Sequence, residues 1–164
     1  MTTPIRQAVF FSDLHVGCSM ALCPPPEVVE LTLDGAGSYT PSPFQMKIWG
    51  FWEEAWTKWL PSVVGDEPWV LVFNGDILEG RHHNAITQWT QNLSMQERAC
   101  VQTIRWGIEQ AAEQITKAGG KYPRPSAIYM VRGTEAHVGN CAENEESIGE
   151  KLGAIPTDRG IYSR

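Results

Sequence analysis

The chain has 164 residues, of which 42% are hydrophobic and seven are tryptophan, enough to bury one core and to exclude a disordered chain. A formal net charge of −6 with a pI near 5.2 argues against a broad basic surface gripping nucleic acid by counterion release, although a local basic groove stays compatible with it. Met1-Thr2-Thr3-Pro4-Ile5-Arg6 lacks the apolar core of a signal peptide, and no apolar run reaches the roughly 18 residues of a membrane helix, so a cytoplasmic chain with no membrane partner is expected.

In chain order, Ala8 to Ser12 is a short continuous apolar run, the pattern of a strand covered on both faces in a central parallel sheet. Residues 18–43 are rich in proline and glycine, including Pro24-Pro25-Pro26 and Gly35-Ala36-Gly37, and read as an irregular insertion loop. Ser42-Pro43 then supplies an N-cap and a first-turn proline. Phe44, Ile48, Trp52, Ala55, Trp56 and Trp59 recur at helical spacing down to Pro61, which predicts an amphipathic helix. A tryptophan stripe can serve as a base-stacking platform, but at this spacing a core role is the expectation.

Trp69 to Phe73 is the second predicted strand. A second helix is predicted from the capping-box sequence Ser94-Met95-Gln96-Glu97, with Leu93 as a staple, through to Gly119-Gly120. Ala127 to Val131 is the third strand and Asn144 to Leu152 the third helix, while Pro156 to Arg164 shows no pattern. The alternation implies one α/β domain over 1–164, a layered sandwich with a parallel-rich central sheet flanked by helices. Cysteines 18, 23, 100 and 141 form no Cys-x-x-Cys pair and are read as structural or incidental, with a minor site role open for Cys18 and Cys23.

Chemistry concentrates at the strand ends. The three strands finish in Ser12-Asp13-Leu14-His15, in Asn74-Gly75-Asp76, and in Gly133-Thr134-Glu135-Ala136-His137. In open parallel sheets ligands gather at the carboxyl edge, so these groups are expected to converge. Asp13 and His15 are two apart, so extended backbone would aim both side chains to one side. Carboxylate with imidazole is a mixed donor set that suits zinc, manganese, iron or nickel. A lone aspartate after a strand is usually a cap or turn residue; three such ends in sequence are the signal.

These blocks, in this order, resemble the first three motifs of the calcineurin-like metallophosphoesterases, Asp-x-His, Gly-Asp and Gly-Asn-His-Asp/Glu. The third block, in its Gly-Thr-Glu-x-His form, is similar to phage and prophage variants of that family. The resemblance implies that Asp13 and His15 bind a first metal ion and Asp76 bridges two, with manganese, iron, zinc or nickel as the two divalent ions. Ions about 3.5 to 4 Å apart hold a shared water, lower its pKa from 15.7 towards about 7, and clamp phosphoryl oxygens during in-line attack. The third block departs from the pattern. Thr134 stands where the family has asparagine and Glu135 where it has histidine, so either Glu135 is a metal ligand with His137 in the histidine's role, or the second metal site is altered. His83, in His82-His83-Asn84, is a second candidate to assist the leaving group, and an exposed polar loop is the competing reading. Glu79 is read as a turn residue, with support of a metal ligand as the alternative.

The family's later ligand histidines have no counterpart here, since no histidine follows His137. The resemblance therefore implies the N-terminal half of such an enzyme, with a homo-oligomer or a missing C-terminal segment to complete the site. A sheet without its facing sheet is expected to expose apolar surface. The functional expectation is metal-dependent hydrolysis of a phosphate ester, the substrate extending to nucleotides or nucleic acid. A catalytically inert domain that binds a metal or a partner is the alternative, and a coincidental match in a flavodoxin-like domain a third.

Overall fold

Short runs of β-branched and aromatic residues become strands, and the amphipathic stretches between them become helices. The computed structural model describes residues 4–33, 37–81, 86–134, 143–156 and 162–163. Strand β1 (Gln7–Phe11) leads by a long connection into α1 (Pro43–Glu54), one π-helical turn (Ala55–Trp59) and α2 (Leu60–Val64). Then come β2 (Trp69–Asn74), α3 (Leu93–Lys117), β3 (Ile128–Val131), α4 (Glu143–Leu152) and β4 (Tyr162–Ser163). All strand pairs are parallel, in the spatial order β1-β2-β3-β4. The chain is thus α/β, a parallel sheet with helices packed on it. The two-residue β4 was not foreseen, because two residues carry no periodicity.

Register sets which side chains share a face. Val9, Leu71 and Ile128 form one cross-strand row and Phe11, Phe73 and Met130 the next. Both rows point to the helices, where Phe11 meets Trp52 and Trp56 at ring-centroid distances of 5.0 Å. The row between them, Phe10, Val72 and Tyr129, points the other way, with Phe10 64% and Tyr129 43% exposed. The expectation that β1 is covered on both faces is therefore corrected. β1 is an edge strand buried on one face, and its run of apolar residues supplies both a core face and an open apolar one. A sheet wound steadily in one direction with right-handed crossovers carries its helices on one side, which is the physical reason.

The first helix begins as predicted. Ser42 caps it, Gln45 closes a capping box, and Pro43 occupies the first turn. It runs past Pro61 to Val64 because the π turn absorbs the proline: Leu60 N–H bonds to the Ala55 carbonyl five residues back, which widens the coil where a proline ring would meet the preceding turn. Within this helix the buried tryptophans are Trp49, Trp52 and Trp56, while Phe44 and Trp59 of the predicted stripe are about half exposed, so the core role holds for part of it. α3 starts two residues earlier than its predicted capping box. Asn92 is the cap, accepting from Met95 N–H at 3.2 Å, and Glu97 bonds instead to Ser147 and Lys151 of α4. The 18–43 connection is irregular but anchored, with Leu22, Cys23, Val29 and Leu31 in the core.

Gly107 lies inside α3 because the Trp56 indole occupies its side-chain space; a Cβ there would come within 2.5 Å of the ring. Gly→Ala in a helix interior ordinarily stabilises by about 1 kcal/mol. Here Gly107→Ala is expected to destabilise by about 1–3 kcal/mol through overpacking, read as a lowered urea midpoint at unchanged slope.

Cys18, Cys23 and Cys100 are free thiols, consistent with incidental roles, and Cys141 lies outside the described residues. Burial pushes the Cys23 thiol up from an ordinary 9.0 to about 12, and the Cys100 thiol higher still. A raised folded pKa means the native state favours the protonated thiol. That stability is complete below about pH 9 and is lost as pH rises towards 12. The urea midpoint is therefore expected to fall above pH 9, and Cys23→Ala to flatten the fall. No helix among the described residues is long and apolar enough to cross a membrane.

Candidate metal centre

Beyond their strands, β1 and β2 stay side by side. Asp13 N–H bonds to the Gly75 carbonyl at 3.2 Å, His15 N–H to the Asp76 carbonyl at 3.0 Å, and Val16 N–H to the Ile77 carbonyl at 3.0 Å. This ladder brings the Asp-x-His and Gly-Asp blocks together at the carboxyl edge of the sheet. Asp13, His15 and Asp76 each offer a ligand atom, and these atoms lie within 4.8 Å of one another. His15 Nε2 is 3.9 Å from Asp13 Oδ1.

The route to that convergence differs from the expected one. Asp13 (φ 55°), His15 (φ 44°) and Asp76 (φ 50°) all adopt the left-handed conformation, and they are the positive-φ non-glycine residues among those described. Extended geometry does not continue past Phe11, so the shared direction of Asp13 and His15 comes from paired left-handed turns. Such backbone costs about 1–3 kcal/mol per residue and persists only where the surroundings enforce it. It falls on the three residues of the ligand cluster.

The third strand end closes the site from the other side. Thr134 donates both its N–H, at 2.7 Å, and its hydroxyl, at 3.2 Å, to Asp76 Oδ1. Thr134 therefore orients the aspartate through Oδ1. Two glycines permit this approach: a Cβ on Gly75 would come within 2.8 Å of Gly133 Cα, and one on Gly133 within 2.5 Å of Asp76 Oδ1. Gly75 also needs its φ of 76°.

Glu145 in the first turn of α4 is fully buried, and sequence reading passed over it. Its Oε1 accepts from Ile77 N–H at 3.2 Å and its Oε2 from Gly133 N–H at 2.9 Å, so one carboxylate joins the turns after β2 and β3. Three acidic residues occupy that first turn, Glu143, Glu145 and Glu146, and nothing local singles out the inward one. Gln96 was likewise read only as a cap residue. It is buried and binds Gly80 N–H at 2.9 Å and the Thr90 carbonyl at 2.8 Å, holding the loop between β2 and α3.

The remaining candidates, Glu135, His137 and His83, lie outside the described residues. A cleft of about 490 Å³ between α3 and α4 includes Arg105, Glu109, Arg124 and Lys151 in its lining and contains none of the cluster. In it Arg124 is bidentate to Glu109 at 2.7 and 2.5 Å and Arg105 donates to the Lys151 carbonyl at 2.6 Å.

Scans against protein-family models, curated proteins and solved structures each found no match to this chain. The functional argument therefore stands on the geometry of its own residues.

Proposed function

We propose that the chain is a cytoplasmic metal-dependent phosphoester hydrolase of the calcineurin-like type, built on Asp13, His15 and Asp76. The supporting observation is the coincidence of strain and chemistry: among the described residues, the three non-glycines held in left-handed backbone are the three whose donor atoms cluster. Two carboxylates and an imidazole fit manganese, iron, zinc or nickel better than an all-oxygen site would.

Asp76, its Oδ1 held by Thr134, would hold the metal together with Asp13 and His15. When bound, two such ions would polarise a phosphoryl oxygen and acidify a shared water. Glu135 is the proposed ligand for the second ion, and His137 or His83 the group that assists the leaving oxygen. The substrate is a phosphate ester, with nucleotides and nucleic acid included. A second copy or a further segment of chain over the apolar row of Phe10, Val72 and Tyr129 would complete the site. Among the described residues the clustered ligands suffice for one ion, which favours a second reading, a catalytically inert metal- or partner-binding domain.

The test is calorimetric titration of chelator-stripped protein with manganese, run beside hydrolysis of bis(p-nitrophenyl) phosphate. Manganese-dependent turnover that a chelator removes is the expected result. Stoichiometric binding without turnover would favour the inert domain, and no binding by manganese, zinc or nickel would overturn both readings.

A further inference from the structure

A carboxylate withdrawn from water needs a partner that carries positive charge or donates hydrogen bonds. Glu79, three residues after Asp76, is 4% exposed. Its backbone N–H bonds to the Val16 carbonyl at 3.1 Å, which fixes it against the turn carrying His15. Thr87 Oγ1 donates to Glu79 Oε1 at 3.4 Å. The other oxygen, Oε2, lies 3.2 Å from the buried His15 Nδ1, at ion-pair distance but off the line of a hydrogen bond.

The two ring nitrogens of His15 thus face different neighbours. Nδ1 faces the buried carboxylate and Nε2 faces Asp13 of the ligand cluster. A neutral imidazole has one N–H, and the nitrogen carrying it cannot bind a metal. A carboxylate oxygen this close to Nδ1, brought into line by a small ring rotation, would hold the proton there and leave the Nε2 lone pair to the cluster. We infer that Glu79 is a positioning residue: it holds His15 as the Nδ1–H tautomer, with Nε2 presented as the ligand atom. This inference rests on the metal-centre reading. It assigns Glu79 no contact with ion or substrate.

The test reads the tautomer and the metal separately. In metal-free, ¹⁵N-histidine-labelled protein at about pH 8.5, two units above the ordinary imidazole value, long-range proton–nitrogen correlation should show His15 protonated at Nδ1. Glu79→Met, which keeps length without an acceptor, should move the proton towards Nε2 and weaken manganese binding by about 10- to 100-fold by calorimetry. Glu79→Gln, which keeps an acceptor oxygen and should fold if the methionine variant does not, should weaken binding by about tenfold and show a mixed tautomer. Circular dichroism confirms the fold of each variant. Retention of the Nδ1–H tautomer with manganese affinity within about twofold of the parent, in a folded variant, would overturn the assignment of Glu79 alone. Absence of manganese binding by the parent protein would instead overturn the metal reading and the ligand half of this inference with it, while the tautomer shift would still report the contact.

Discussion

Asp76→Ala is expected to reduce manganese-dependent hydrolysis of a phosphodiester probe by at least about a thousandfold, and to weaken manganese binding in step. Asp76 links the Asp-x-His turn to the third strand end by hydrogen bonds. Its carbonyl accepts from His15 N–H and its Oδ1 from Thr134. Losing the carboxylate removes a ligand and the acceptor of Thr134, whose exposed N–H can turn to water instead, so stability should also fall by about 0.5–1.5 kcal/mol. Steady-state kinetics, calorimetry and urea denaturation measure the three effects. Asp13→Gly separates function from stability. The Asp13 side chain is 66% exposed, and its backbone is left-handed with φ 55°. Glycine adopts that conformation without strain, so this variant should lose metal affinity while its metal-free form gains about 1 kcal/mol. A destabilised Asp13→Gly protein would show that backbone strain is not stored there.

Glu145→Ala is expected to cost about 3–5 kcal/mol, the largest stability loss of any single substitution considered. One buried carboxylate accepts from the backbone N–H groups of Ile77 and Gly133, on the turns that follow two neighbouring strands. Truncation strands the buried Ile77 N–H and the half-buried Gly133 N–H, each at about 1–3 kcal/mol. Glu145→Gln keeps the volume but must turn an amide N–H₂ towards one of two N–H donors, so an intermediate loss should follow. Chemical denaturation reads both variants. A midpoint for Glu145→Ala within experimental error of the parent would show that the two turns hold each other without the carboxylate.

Much of the secondary structure was legible because its determinants are local. The Ser42-Pro43 cap, the apolar runs at residues 69–73 and 127–131, and the stop at Gly119 each need only a few neighbouring residues. The misses have long-range causes. The helix passes Pro61 because a π turn accommodates the ring, an outcome decided by packing of Trp52 and Trp56 on Phe11 as well as by the proline. Asn92 displaced Ser94 as the cap of α3 in a segment where either residue can cap, and Glu97 was drawn to Ser147 and Lys151 on another helix. Glu145 was invisible because an acidic residue in a first helical turn is ordinary in any sequence.

The sequence by itself determined that polar groups follow each of three apolar strands, that these strands are joined by helices, and that Asp13, His15 and Asp76 are the groups to watch. Only the tertiary structure decided that they meet. Convergence depends on in-register pairing of Phe11 with Phe73 and of Phe73 with Met130, on the close approach of Gly75 and Gly133, and on three left-handed residues. No local propensity favours aspartate or histidine in that conformation enough to announce it. It is held by hydrogen bonds between segments about sixty residues apart, such as His15 N–H to the Asp76 carbonyl and Thr134 N–H to the Asp76 carboxylate. The open face was decided the same way: the apolar run of β1 is equally compatible with one covered face or two, and strand order left Phe10 outside.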